Sequence, residues 1–229
     1  MYNEGNIVLT TDVKNPLLID LLKSPILPKY STLINKVIED EKLKREEFYN
    51  KITDQDKAEF INGEIIMHSP VKYEHNKVGG NLYNLLSIYV KKNDLGFVGY
   101  EKILITLTRN DYEPDICFFK KETALDFKSG QMLFPAPDFV VEILSPTTEN
   151  IDRKIKFEDY ALHNIEEYWI IDPEKQTVEQ FLLDVDIYKC NLKSDNGIIK
   201  SKAIKDFTID IKSIFDEISN LEQLKKIIG

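Results

Sequence analysis

The stretch "PDFVVEILSPTT" (137–148) places Glu142 inside a run of Phe, Val, Ile and Leu, then stops the run at Ser145-Pro146. An ionised side chain in a strand that otherwise reads as buried costs free energy unless a partner or a cation compensates it. Finding that partner organises the rest of the chain.

Downstream, residues 149 to 163 read as a helix, with Asn164 placed to cap its C-terminus. Asp152, Lys156 and Tyr160 recur at i, i+4 and i+8 and so share one stripe, while Ile151, Ile155 and Leu162 form another. The expectation is that the apolar stripe packs on the sheet and the Lys156 stripe borders the sheet edge. An ammonium there can orient an attacking water and offset charge on a phosphate. Asp152 either orients Lys156 or caps the helix start.

Upstream, "EPDIC" (113–117) opens a second strand, because proline removes a ladder donor and favours a strand start or an edge. Alternation sets Asp115 on the face of Glu113, Cys117 and Phe119, and Glu142 on the face of Val140 and Leu144. If the two strands are neighbours, as consecutive strands often are, the two carboxylates converge. Their repulsion calls for a cation, and Mg²⁺ accepts one or two carboxylates together with water and phosphate oxygens.

The remaining elements follow from period and turn chemistry. Residues 58 to 69 are two short apolar runs around Asn62-Gly63, a hairpin signal. From Glu74 to Tyr89, Val78, Leu82, Leu85, Leu86 and Tyr89 mark one helix face. Within it, Gly79-Gly80 suggests close approach to neighbouring backbone. Phe97 to Leu107 and Tyr112 to Phe119 read as an antiparallel hairpin with a four-residue loop. Glu167 to Ile171 and Thr177 to Leu183 form another strand pair, and the last 25 residues add a strand at Phe207 to Ile211 and one or two short helices. The order is α+β: a mixed sheet flanked by helices. Residues 1–50 form an N-terminal extension whose helix, near Ser31 to Tyr49, is highly charged, and residues 51–229 form the main domain, with its core at about 58–185.

Composition excludes several classes. The 229 residues are 42% hydrophobic and 30% charged, which fits a globular chain. Two cysteines 73 positions apart, Cys117 and Cys190, make neither a disulfide framework nor a thiolate metal site. With no secretory signal in "MYNEGNIVLTTDVKNPLL" and no apolar run long enough to span a bilayer, the expected location is the cytoplasm, with no membrane partner. A net charge of −9 means that any footprint for nucleic acid is local.

Five segments in this order, "INGEIIMHSP", "EHNKVGGNLYNLL", "EPDICFF", "APDFVVEILSPTTENIDRKIKFEDYA" and "EEYWIIDPEKQTVEQFLL", resemble the Uma family of restriction endonucleases, within the PD-(D/E)XK nuclease superfamily. The resemblance covers residues 58 to 185. It implies a restriction-endonuclease-like αβββαβ core, DNA as partner, and Mg²⁺ or Mn²⁺ held by Asp115 and Glu142. Leu144 stands where the superfamily pattern puts lysine, and the matching lysine of this family falls at Lys156 rather than Lys154. The pattern also draws in Glu64, which either reaches the metal or is an exposed strand residue. It draws in His75 as well, which is either a satisfied core histidine or a group that polarises a carboxylate or contacts phosphate. Glu74 beside it favours the helix dipole. Cutting both strands with one site per chain implies a homodimer by analogy. Two further readings stand beside the nuclease: a catalytically silent binding or regulatory module, and a metal-dependent hydrolase of another phosphate ester.

Overall fold

The structure, a computed structural model, describes residues 15–229. Most of the opening segment read for a secretory signal lies outside the described residues. Compact units divide between Lys51 and Ile52.

The first unit holds two helices. In α1 (Pro16–Lys23), proline occupies the first turn and the Asn15 side chain accepts from the Leu17 N–H at 3.0 Å. The charged stretch expected to be helical lies in the longer α2 (Leu27–Lys51).

The second unit begins with β1 (Ala58–Ile61) and β2 (Glu64–Met67), an antiparallel pair closed by Asn62 and Gly63, both at positive φ. That conformation is what an Asn-Gly turn supplies with little strain. Helix α3 (Tyr73–Lys92) follows, with Val78, Leu82, Leu85 and Leu86 buried on one face.

The two long runs expected as a hairpin are each broken. The first splits into β3 (Gly96–Tyr100) and β4 (Leu104–Thr106), with Glu101 and Lys102 at positive φ between them. The second splits into β5 (Asp111–Tyr112) and β6 (Ile116–Lys120) at Glu113-Pro114-Asp115. The hairpin therefore spans two sheets: β3 pairs with β6, and β4 with β5. Then come the short α4 (Lys121–Ala124), β7 (Leu133–Phe134) and β8 (Phe139–Ile143).

After β8 the helix starts as a π turn (Ile151–Lys156) and continues as α5 (Phe157–Leu162), with Asn164 in the left-handed conformation just beyond it. β9 (Glu167–Asp172), β10 (Thr177–Asp184) and β11 (Ile187–Ser194) extend the sheet. The chain finishes with β12 (Ile198–Lys200), β13 (Thr208–Asp210), α6 (Lys212–Phe215) and α7 (Glu217–Ile228).

The larger sheet has the order β11-β10-β9-β8-β6-β3, and the smaller one β2-β1-β5-β4-β7. β8 runs antiparallel to β6 and parallel to β9, so the larger sheet is mixed. Its elements in chain order are α3, β3, β6, β8, the π/α5 helix and β9, which is the expected αβββαβ order. One face of the sheet, with Ile116, Phe118, Val141, Ile143 and Trp169, packs on α3, α6 and α7. The other, with Cys117, Phe119, Val140, Leu144 and Ile170, packs with α5 and residues of the smaller sheet.

Two packing expectations are corrected. Gly79 approaches side chains rather than backbone: an added Cβ would lie 3.2 Å from both Ile143 Cδ1 and Tyr100 OH, and one on Gly80 would meet nothing within 4 Å. The helical stripes also exchange roles. Asp152, Lys156 and Tyr160 turn inward and are buried, Ile151 and Ile155 are only partly covered, and Leu162 is 66% exposed. Lys156 and Tyr160 both donate to Glu142 Oε1, and Ile151 and Ile155 pack at the margin of the core. The π turn, a geometry frequent at functional sites, carries the Lys156 stripe.

Candidate functional site

The β6–β8 register ends with Ile116 matched to Val141, and just beyond it the Asp115 side chain accepts from the Ile143 N–H, next to Glu142 in the chain. Pro114 ends the smaller sheet's segment and frees the chain to cross into β6 at this point. The two carboxylates lie on the sheet face that the π/α5 helix covers, and both line a cavity of about 400 Å³.

Asp115 is 7% exposed, and its Oδ2 accepts from the Ile143 N–H at 2.8 Å. His75 Nε2 lies 3.2 Å from the same oxygen, and Lys57 Nζ donates to Oδ1 at 3.5 Å. Burial by itself raises this carboxyl, but the His75 hydrogen bond and charge, Lys57 and the Ile143 N–H outweigh it and hold the group at about 2. His75 reaches the site from the first turn of α3 and is itself buried.

Glu142 is 3% exposed, and its Oε1 accepts from Lys156 Nζ at 3.0 Å and from Tyr160 OH at 2.8 Å. Burial, reinforced by Asp152, Asp115 and Glu59, pushes its carboxyl well above the ordinary range despite Lys156. Lys156, at 2% exposure, stands within ion-pair distance of three carboxylates: Glu59 at 2.9 Å, Glu142 at 3.0 Å and Asp152 at 3.2 Å. Burial works to discharge it, and those three anions overcome this, so the ammonium is held well above its usual range. Its Nζ also lies 5.7 Å from the centre of the Tyr112 ring, a cation–π distance. Asp152 Oδ1 is buried and, although 3.2 Å from Lys156 Nζ, accepts no aligned hydrogen bond. Burial raises this carboxyl too.

The sequence-derived set is thus brought together with one exception. Asp115, Glu142, Lys156, His75 and Asp152 all line the cavity, as does Glu74. Glu64 does not: it is exposed at the start of β2, beyond the Asn62-Gly63 turn. The buried acid from this hairpin is Glu59 on β1, whose Oε1 also accepts from the Glu113 N–H at 2.9 Å. Burial raises Glu59, but Lys156 and His68 outweigh it and the carboxyl ends below its ordinary range. A lone carboxylate flanked by Ala58 and Phe60 carries the same sequence signal that singles out Glu142. Lys57, His68 and Glu113 also line the cavity without having been singled out as site residues. Glu113, desolvated and close to Glu59, is pushed up to about 7 although Lys57 opposes this.

Among the described residues, no group of three or more His, Cys, Asp and Glu side chains forms a ready-made metal cage. A hydrated Mg²⁺ does not require one, since it binds through one or two carboxylates and keeps several waters. The donors suit that mode. Every hydrogen bond to Glu142 falls on Oε1, leaving Oε2 without one, and Asp115 Oδ1 has only the long contact to Lys57.

The fold has a solved counterpart. A crystal structure of "a putative nuclease belonging to DUF820" from Anabaena variabilis superposes with a TM-score of 0.64, covering 78% of this chain and 97% of that one at 20% identity. At that identity the likeness is one of fold, and it defines a mixed α+β domain shared with a nuclease-type structure. A curated relative, "Uncharacterized protein sll1609" from Synechocystis, is 29% identical over 128 residues, 55% of this chain and 72% of the relative. The Uma2 family, described as "Putative restriction endonuclease", matches residues 45–212, nearly three quarters of the sequence. The chain belongs to that family.

Proposed function

We propose that this chain is a Mg²⁺- or Mn²⁺-dependent endonuclease hydrolysing DNA phosphodiester bonds. The observation carrying this reading is that Asp115, just before β6 and hydrogen-bonded to the Ile143 N–H of β8, and Glu142 of β8 line one cavity, with the Lys156 ammonium 3.0 Å from Glu142. Membership of the Uma2 family and the fold of a nuclease structure support it.

Asp115 and Glu142 would hold the cation, which when bound supplies charge neutralisation at the phosphate and lowers the pKa of water. His75 and the Ile143 N–H orient Asp115 and keep it ionised. The Tyr160 hydroxyl fixes one oxygen of Glu142 and leaves the other to the cavity. Lys156 contributes a fixed positive charge beside the reacting phosphate rather than a proton, because three carboxylates hold it protonated. Cys117 and Cys190 are unpaired thiols, in keeping with a reducing, cytoplasmic setting. Among the described residues, no helix is long and apolar enough to cross a membrane.

The test is plasmid nicking by the purified chain with Mg²⁺ or Mn²⁺ beside Asp115→Asn. Wild-type nicking that the variant lacks is the expected result, and equal nicking by both defeats the assignment. A second reading, a metal-free binding or regulatory module, is favoured by the net charge of −9 and by the internal pairing of Lys156 with three acids. Calorimetry separates the two, since such a module takes up neither cation.

A further inference from the structure

Lys156 has more anionic partners than a stable ion pair requires. Glu142 and Asp152 already lie within 3.2 Å of its ammonium, yet β1 contributes a third carboxylate, Glu59, which is 1% exposed and at 2.9 Å makes the shortest of the three contacts. Burying an additional carboxylate carries a desolvation cost, and apolar replacements of buried ion pairs are often as stable or more so. Stability alone gives no reason for it.

Its position suggests one. Glu142 lines the cavity, and its Oε1 is shared by Lys156 and Tyr160. Any demand on Glu142 from a cation or substrate therefore loosens its hold on Lys156. Asp152 lies at the longest distance of the three and without hydrogen-bond alignment. Glu59 does not line the cavity: the Glu113 N–H donates at 2.9 Å to Oε1, the same oxygen that meets Lys156, and His68 Nε2 lies 3.1 Å from Oε2 without an aligned hydrogen bond. Glu59 belongs to the smaller sheet, so its grip does not depend on the β6–β8 strands that carry Asp115 and Glu142.

We propose that Glu59 is a positioning residue: it fixes the Lys156 ammonium from the smaller sheet, so that Lys156 keeps its place when Glu142 is drawn into binding. The proposal rests on the endonuclease reading for its consequence in catalysis, but not for the anchoring itself. The anchor is the Glu113 N–H, which holds Glu59 Oε1 beside Lys156, with His68 Nε2 near the other oxygen.

The experiment uses the full chain labelled with ¹⁵N-lysine, with the buried ammonium resonance assigned by its absence from Lys156→Arg. In wild type that resonance stays in place as Mg²⁺ is added. In Glu59→Gln, which keeps the size of the side chain but not its charge, it shifts or broadens into exchange with water on the same titration. Nicking by this variant falls about 10- to 100-fold in kcat with KM for plasmid changed by less than about twofold, the scale of losing a residue that orients a catalytic group. If the Gln variant fails to melt in a single transition, Glu59→Asp, which keeps the charge but withdraws it by one methylene, carries the same two readouts. An ammonium resonance as steady in the variants as in wild type overturns the proposal, and so does an unchanged kcat or a loss confined to KM. A wild-type chain that nicks no DNA with either metal defeats the endonuclease reading alone, and the ammonium titration still decides the role of Glu59.

Discussion

Asp115 and Glu113, two residues apart on the crossing between the sheets, are displaced in opposite directions by their surroundings: Asp115 is held at about 2 and Glu113 is pushed up to about 7. Desolvation is the largest influence on both. At Asp115 the directly contacting His75, with Lys57 and the Ile143 N–H, overcomes it; at Glu113 Lys57, His68 and the Ala58 N–H do not, and the neighbouring Glu59 adds to the rise.

Their contributions to stability therefore run oppositely with pH. A depressed carboxyl stabilises the fold above its unfolded value and loses that contribution as pH falls, here between 3.8 and about 2. A raised carboxyl stabilises below its unfolded value and loses that contribution as pH rises, here between 4.5 and about 7. Glu113→Gln should gain on wild type in urea midpoint as pH climbs through that second window and hold a constant lead above it. Asp115→Asn should show a deficit at neutral pH that shrinks only below pH 3.8. A Glu113→Gln lead that narrows as pH rises would contradict the assignment.

Lys156→Met leaves Glu59, Glu142 and Asp152 buried around an uncharged side chain. Breaking a buried pair in this way costs about 3–5 kcal/mol. The deficit should be smaller at pH 5 than at pH 8, because Glu142 and Asp152 are raised, Glu59 loses the lysine that lowers it, and the stranded acids can take up protons at the lower pH. Urea unfolding at the two pH values reads this directly, and a deficit independent of pH would mean that the acids are not stranded.

Glu167 is a buried carboxylate of another kind. Trp169 Nε1, Gln180 Nε2, Ser201 Oγ and the backbone N–H groups of Lys202 and Ala203 all donate to it at 2.6–2.8 Å. It does not line the cavity. Glu167→Ala strands these donors and should destabilise by about 3 kcal/mol or more, since each unsatisfied buried donor costs about 1–3 kcal/mol. Mg²⁺ affinity measured by calorimetry should stay at the wild-type value. A change in affinity would show that the two buried acid clusters are linked.

The adjacent glycines of α3 offer an internal comparison. Gly80→Ala places a methyl group in open space and should stabilise by up to about 1 kcal/mol through helix propensity. Gly79→Ala must displace Ile143 Cδ1 and the Tyr100 hydroxyl, and should gain less than its neighbour or lose stability. Thermal melts of the two single variants suffice to check the order.

The centre of the larger sheet is legible in the sequence because its strands are continuous apolar runs, whereas its edge strand β11, polar and exposed at most positions, is not. Asp115, Glu142 and Lys156 were legible for the same reason: each is a charge placed where the pattern demands burial. What escaped notice depended on contacts between sheets. The runs at 97–107 and 112–119 look continuous, and only the positive φ of Glu101 and Lys102 and the proline at 114 divide them. Glu59 carries the same local signal as Glu142, but its partner Lys156 lies on an element 97 positions away, a pairing that no local pattern reveals. The stripe exchange in the π/α5 helix was missed because periodicity assigns the apolar face inward, and takes no account of a buried carboxylate waiting on the sheet.

The crossing at Glu113-Pro114-Asp115 has a mechanical consequence. The chain passes from one sheet to the other within the cavity wall, while Glu59 ties the smaller sheet to a lysine covering the larger one. The cavity therefore includes a seam between two stiff plates, closed at its rim by the loops at 68–72 and 145–148. A substitution far along either plate that changes their mutual tilt will be felt as a change in spacing between acid and ammonium.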